Sequence, residues 1–392
     1  MTSTTTARRR RVLGALAALL AVAALQAPAR AQATTPAERP PGTLLSAEPL
    51  PAGLWLPGSG AAYRLTYTST PATGFSADPV VDVGALFVPA GRVAPAGGWP
   101  VVSWAHGTIG VADPCDQTVA GRSQRDIDYL SAWLRAGYAV AATEYEGIGT
   151  PRPHPYLLGV SEAYGVVDVV RAARQVATKT PLSAKWLAVG QSQGAQAALF
   201  TGDLQRRYAP ELAYLGTIAT APPSQWRTTV AAARPFDPAA PANPFVLLAM
   251  EGMLTDHPDT FDPARHLTPA GLQLFGAARD ELCFGALAQR MAGLTSGQVF
   301  DVDAAEQETL TQLLEHDAEI PIAAQERPVF IAQGTADTVV LPPATRTTAG
   351  LLAAAGTDVT FRFYQGADHN GVLAAALPDL LAWAADRLRD LP

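Results

Sequence analysis

The chain has 392 residues, 48% of them hydrophobic and 16% charged, with a formal net charge of -7. That composition describes a globular protein with a large core, organised as one large domain or two. Its acidic balance argues against nucleic acid and anionic membranes as partners.

The first residues form a segment apart. Arg8 to Arg11 precede an apolar run, Val12 to Leu25, and Ala29-Arg30-Ala31 offers small residues for cleavage. This is the pattern of a secretory signal over 1–31, too short to span a membrane, with Ala33 as the other cleavage position. The paired arginines also allow a twin-arginine export route. The expectation is a secreted, extracellular protein with no stable membrane anchor. Losing these five arginines and no acid takes the formal charge from -7 to -12. Cys115 and Cys283 are the two cysteines, an even count for an oxidising destination, so they are expected to pair. Such a bridge closes a long loop, worth up to ~5 kcal/mol in the chain-entropy account. No C-x-x-C spacing occurs, so no cysteine metal site is expected.

Residues 32–47 are rich in Pro, Ala and Thr and read as a flexible leader. Strand composition follows at Ala62–Thr68, Val80–Val88 and Trp99–Trp104. Arg125–Ala136 has helical periodicity, Tyr138–Thr143 is a strand, and Ser161–Val176 a helix with Val166, Val169 and Val170 on its apolar stripe. Trp186–Val189 is a short buried strand, a small-residue helix begins at Gln193, and Leu212–Ala219 is again a strand. Strands alternating with helices at this spacing imply a mostly parallel sheet with helices on both faces.

The alternation stops at Pro222-Pro223. Residues 224–325 carry helical patterns and proline-rich joints but no strand. Thr268-Pro269 is a helix start with a cap residue and proline at the first position. Asp303 to Glu306 resembles a capping box. The strand pattern resumes at Pro328–Gln333, followed by a helix over Pro342–Ala355, a strand over Val359–Tyr364 and a terminal helix over Val372–Leu388 containing Pro378. The organisation expected is a core of 48–223 and 326–392 with a helical cap, 224–325, inserted after the sixth core strand.

Gly190-Gln191-Ser192-Gln193-Gly194 is a G-x-S-x-G sequence between a strand and a helix. There the motif has a mechanism: a tight turn strains Ser192 and lifts its hydroxyl clear of the sheet. Gly190 and Gly194 leave room for the crossing backbone. The amide of Gln193, at a helix start, points toward a reacting carbonyl.

A serine hydroxyl needs a base. Of six histidines, His106 follows the third strand, His154 lies in a Pro-rich loop, and His257, His266 and His316 lie in the insertion. His369 follows the last strand, at the sheet edge where reacting groups gather, and is the candidate base. Asp337, after the resumed strand, is the candidate carboxylate that holds its tautomer. The order Ser, Asp, His is that of an α/β-hydrolase sheet. A second oxyanion donor is expected where His106-Gly107-Thr108 leaves the third strand: the amide of Thr108, or that of Gly107, with the Thr108 hydroxyl as a further donor.

Elbow, His-Gly-Thr loop, Asp337 and His369 together resemble an α/β-hydrolase. More narrowly, Trp104-Ala-His-Gly-Thr108, Asp113-Pro-Cys115, Glu144-Tyr-Glu-Gly147, Gly149-Thr-Pro151 and His154-Pro-Tyr156 resemble the bacterial members of the secretory lipase family. That family also takes in fungal enzymes of the Candida antarctica lipase A type. The resemblance implies hydrolysis of a small-molecule or lipid ester, a helical cap after the sixth core strand, and no cofactor.

Glu144 and Glu146 have two readings: lining an acyl cleft or the oxyanion loop, or pinning the loop that carries Pro151 to Pro155. Phe245, Leu247, Met250, Met253, Leu254 and Phe275 either floor an acyl pocket or form the insertion's own core. The expected activity is that of a serine lipase or carboxylesterase. Its rivals are a serine peptidase of the same fold, with Glu144 or Glu146 gripping a peptide amino terminus, and a catalytically silent binding module.

Overall fold

The computed structural model describes residues 1–2, 39–71, 79–177 and 181–389. Met1–Thr34 and Thr35–Pro392 are separate units, and the sheet and its helices belong to the second. The export signal expected over 1–31 and the leader over 32–38 lie outside the described residues, save Met1 and Thr2.

The described elements run β1 (Leu44–Pro49), β2 (Ser59–Ser69), β3 (Val80–Pro89), β4 (Trp99–Ala105), α1 (Gln117–Ala120), α2 (Gln124–Ala136), β5 (Ala139–Thr143), α3 (Gly159–Gln175), β6 (Leu182–Gln191), α4 (Gln193–Tyr208) and β7 (Ala213–Thr220). Six helices come next: α5 (Trp226–Ala233), α6 (Pro244–Asp256), α7 (Pro269–Asp280), α8 (Phe284–Met291), α9 (Ser296–Val299) and α10 (Ala304–Ala318). The chain then returns to the sheet through β8 (Val329–Gly334), α11 (Pro342–Ala354), β9 (Val359–Tyr364) and α12 (Gly371–Arg389).

One nine-stranded sheet has the order β1-β2-β3-β5-β4-β6-β7-β8-β9. The pairs β1–β2, β2–β3 and β3–β5 are antiparallel, and all others are parallel. This is the α/β-hydrolase fold. Successive strand residues face opposite sides of a sheet, and β6 shows it. Trp186 and Ala188 join the core under α3 and α4. Leu187 and Val189 join the core under α2 and α12. A parallel sheet covered on both faces has near-continuous apolar strands, as in fully buried β4.

β1 corrects one expectation. Leu44 to Ala47, assigned to the flexible leader, pair with β2, Leu44 opposite Tyr67 and Ala47 opposite Leu65. An edge strand with one solvated side needs no strong apolar pattern, so its composition reads as leader. The helical insertion therefore follows the seventh strand along the chain, the sixth counted from β2.

Helix starts follow the expected capping chemistry. Thr268 accepts from Gly271 N with Pro269 behind it, and Asp303 and Glu306 form a reciprocal capping box. Between β7 and β8 the described residues hold helices and two isolated bridges, Pro241 to Thr295 and Leu267 to Phe300. These helices share an apolar core of their own, which takes in Val111, Tyr156 and Leu157 from the loops above the sheet. Cys115 and Cys283 form a disulfide with Cα atoms 5.4 Å apart. Beside it Phe284 N donates to Ile109 O at 2.8 Å. Among the described residues no helix is long and apolar enough to cross a membrane.

Candidate active site

β6 ends at Gln191, α4 begins at Gln193, and Ser192 alone makes the turn. Its backbone sits at φ 56 and ψ -124. A non-glycine residue there costs on the order of 1–3 kcal/mol and persists only where its surroundings enforce it. Enforcement is visible: Ser192 N donates to Thr220 O at 2.9 Å, and its carbonyl accepts from Ala195 N at 2.8 Å. A Cβ on Gly190 would be driven into the carbonyl of Gly194, and one on Gly194 into that of Ala105. Both positions require glycine.

His369 and Asp337 come from the loops after β9 and β8. His369 Nδ1 lies 2.8 Å from Asp337 Oδ2. The carboxylate also accepts from Gln333 Nε2 at 3.1 Å and from the amides of Val339 and Val340 at 2.9 Å. Burial pushes the Asp337 carboxyl up. The hydrogen bond and charge of His369 and the two amides outweigh that and hold it below its ordinary value.

The opposite ring nitrogen of His369 does not bond Ser192. His369 Nε2 lies 3.1 Å from the side-chain Nε2 of Gln191, which also lies 3.2 Å from the His369 carbonyl. A carbonyl oxygen only accepts, so the group facing it is the NH2 of the carboxamide. The imidazole therefore accepts at Nε2 and donates from Nδ1, the tautomer a serine base requires. Gln191 carries no signal in the sequence because the motif leaves its position free.

In the loop after β4 and at the start of α4, where oxyanion donors are expected, the amides of Gln193, Thr108 and Gly107 have no acceptor among the described residues. The Thr108 hydroxyl is engaged with Tyr156 at 2.7 Å. The Gln193 side chain is anchored behind the elbow, its Nε2 lying 2.8 Å from Glu162 Oε1 and 3.2 Å from His154 Nε2. Burial raises the Glu162 carboxyl to about 8 and lowers His154 to about 3.

Glu144 and Glu146 lie in buried networks. Glu144 accepts from Arg122 Nη2 at 3.1 Å and from Gln117 N at 3.0 Å, and stands 3.8 Å from His106 Nε2. Burial raises it to about 7 and lowers His106 to about 4. Glu146 takes the Ser161 hydroxyl at 2.9 Å and meets Arg152 Nε at 3.3 Å, while its carbonyl faces His154 Nδ1 at 2.7 Å. It pins the loop from Pro151 to Pro155.

Ser192 and Gln193 open into a cavity of about 170 Å³ walled by Tyr156, Trp226, Phe245, Val246, Ala249 and Leu314, among others. A smaller one of about 60 Å³ shares Val246, Ala249 and Leu314 with it and adds Met250 and Met253. Of the apolar residues with two readings, Phe245, Met250 and Met253 line these cavities. Leu247, Leu254 and Phe275 pack only within the insertion's core.

A family model described as secretory lipase matches residues 116–392. "Lipase A" of Moesziomyces aphidis is 24% identical over 226 residues, covering 56% of this chain and 46% of that protein. "Lipase 7" of Candida albicans is 34% identical over 94 residues, 24% of this chain and 21% of that one. The chain thus spans less than half the length of the curated relatives it matches. Among solved structures, Candida antarctica lipase A in its closed state superposes with a TM-score of 0.73 at 21% identity, covering 90% of this chain and 83% of that one. A ligand-bound form of the rice cell wall degrading esterase LipA from Xanthomonas oryzae gives 0.71 at 19% identity, covering 90% and 99%. At these identities the likeness is one of fold.

Proposed function

The chain belongs to the secretory lipase family, and from that premise we propose that it is a secreted carboxylic ester hydrolase working through an acyl-enzyme. Ser192 Oγ attacks the ester carbonyl while His369 Nε2 takes its proton. Asp337 holds the imidazole and steadies its positive form. The amide of Gln193 and that of Thr108 or Gly107 receive the oxyanion; one such donor is worth ~3 kcal/mol in the transition state. Collapse expels the alcohol, which leaves with the proton from His369. Water then gives a proton to the same nitrogen and attacks the acyl carbon; the acyl–Oγ bond breaks, Ser192 Oγ takes that proton back from His369, and the acid leaves.

The observation that carries this reading is the His369–Asp337 hydrogen bond beside a strained Ser192 that opens into an apolar-walled cavity. A lipid or other acyl ester suits that wall, with the acid part lying along α6 and Leu314. Residues 224–325 act as a cap that shelters the acyl chain. Secretion is supported by the family and by the Cys115–Cys283 disulfide, a bond of oxidising compartments. The peptidase reading loses its grip residues: Glu144 and Glu146 are held in buried networks, and neither lines the cavity. Rates on p-nitrophenyl esters of increasing acyl length, measured beside aminoacyl anilides, test the proposal. Turnover of the esters is expected; turnover confined to the anilides would overturn it.

A further inference from the structure

A second reactive cluster lies where the C-terminal ends of α6 and α10 meet. Asp256 closes α6 and His257 follows it, its amide donating to Met253 O at 2.8 Å. His316 and Asp317 stand in the last turn of α10. His257 Nε2 is 3.1 and 3.2 Å from the two Asp317 oxygens and 3.5 Å from Asp256 Oδ2. His316 Nδ1 is 2.8 Å from Asp317 Oδ1. One ligand atom from each of the four residues falls within 4.8 Å of the others. None of the four lines the cavity at Ser192.

A tetrahedral zinc ion with bonds of about 2.0–2.1 Å needs ligand atoms roughly 3.3–3.4 Å apart. The spacings of His257 to Asp317 and to Asp256 are already close to that. The fourth ligand is the one free to adjust: the His316 side chain is 74% exposed, against 7% for Asp317 and 4% for Asp256. Rotating it outward also gives an ion a way in. Two carboxylates, Asp256 and Asp317, lie beside one another in a largely buried place, and a divalent cation cancels their charge. Two imidazoles select zinc and its late first-row neighbours over calcium or magnesium, which take oxygen ligands.

We propose that Asp256, His257, His316 and Asp317 form a structural binding site for a zinc-type divalent cation. Four protein ligands leave no open position, as in structural rather than catalytic zinc sites. The ion clamps α6 to α10, the helices that present Phe245, Val246 and Ala249 on one side of the cavity and Leu314 on the other.

The test uses the full chain, stripped with EDTA, dialysed against micromolar zinc chloride and then analysed for bound metal and melting temperature. One equivalent of zinc and a rise in Tm are expected, with both lost in His257→Ala/His316→Ala. Cobalt should give the intense visible absorption of a tetrahedral site. His316→Ala alone changes an exposed side chain and guards against a misfolded double variant; at least about tenfold weaker binding is expected from it. A wild type that retains no zinc, or variants that retain it as well as the wild type, would overturn the proposal.

Discussion

The carboxamide of Gln191 lies 3.1 Å from His369 Nε2, the ring nitrogen that the proposed mechanism assigns to Ser192. The base is thereby held in the right tautomer with its acceptor site already filled. For attack to begin, Gln191 has to release Nε2 to the hydroxyl of the next residue. One neutral hydrogen bond is worth about 1 kcal/mol. Gln191→Ala is therefore expected to raise the rate of Ser192 phosphonylation by about fivefold. A lower rate would mean that Gln191 positions the imidazole rather than screening it.

Glu162 carries the clearest pH signature. Burial raises its carboxyl to about 8, so the folded state keeps a proton that the unfolded chain releases near pH 4.5. Raising the pH from there to about 8 therefore favours unfolding, and above that the effect levels off. Glu162→Gln keeps an acceptor for Gln193 Nε2 and Leu157 N but has no proton to hold. Stability-versus-pH curves should be flatter in the variant by up to one proton, about 1.4 kcal/mol per pH unit. Parallel curves would contradict this.

The disulfide spans 168 residues and joins the loop beyond β4 to the start of α8. Cys115→Ser/Cys283→Ser should lose up to ~5 kcal/mol in the chain-entropy account, read as a fall in Tm in thermal melts. An unchanged Tm would show that the remaining contacts, such as Phe284 N to Ile109 O, suffice.

Ala249 sits on the wall common to both cavities. Ala249→Phe should block passage from the larger to the smaller. Rates on acetyl and butyryl esters should stay within about twofold. Those on long acyl esters should fall about tenfold, the loss expected when two methylenes, about 0.8 kcal/mol each, find no apolar contact. An even fall across all chain lengths would place the acyl chain elsewhere.

What the sequence discloses depends on the range of the interactions. The elbow is legible because Gly190, Ser192 and Gly194 are neighbours whose spacing encodes one turn. The capping box of Asp303 and Glu306 and the start at Thr268-Pro269 are legible for the same reason. Asp337 and His369 are distant in the chain, yet the strand pattern places both at one sheet edge. β1 is not legible, since Leu44–Pro49 is an edge strand whose partner, not its composition, makes it a strand. Gln191 stands at a motif position open to any residue. The anchoring of Gln193 by Glu162 and His154, and the meeting of His257 with Asp317, depend on how α3, α6 and α10 pack, which no local pattern carries.

The central claim is that Ser192 is a nucleophile activated by His369. Labelling the intact protein with a fluorophosphonate, with mass spectrometry of its peptides as the readout, tests it most directly. The account predicts one adduct on Ser192, absent in Ser192→Ala and formed at least about a thousandfold more slowly in His369→Ala. A wild type that stays unmodified, or an adduct on any other residue, would contradict it.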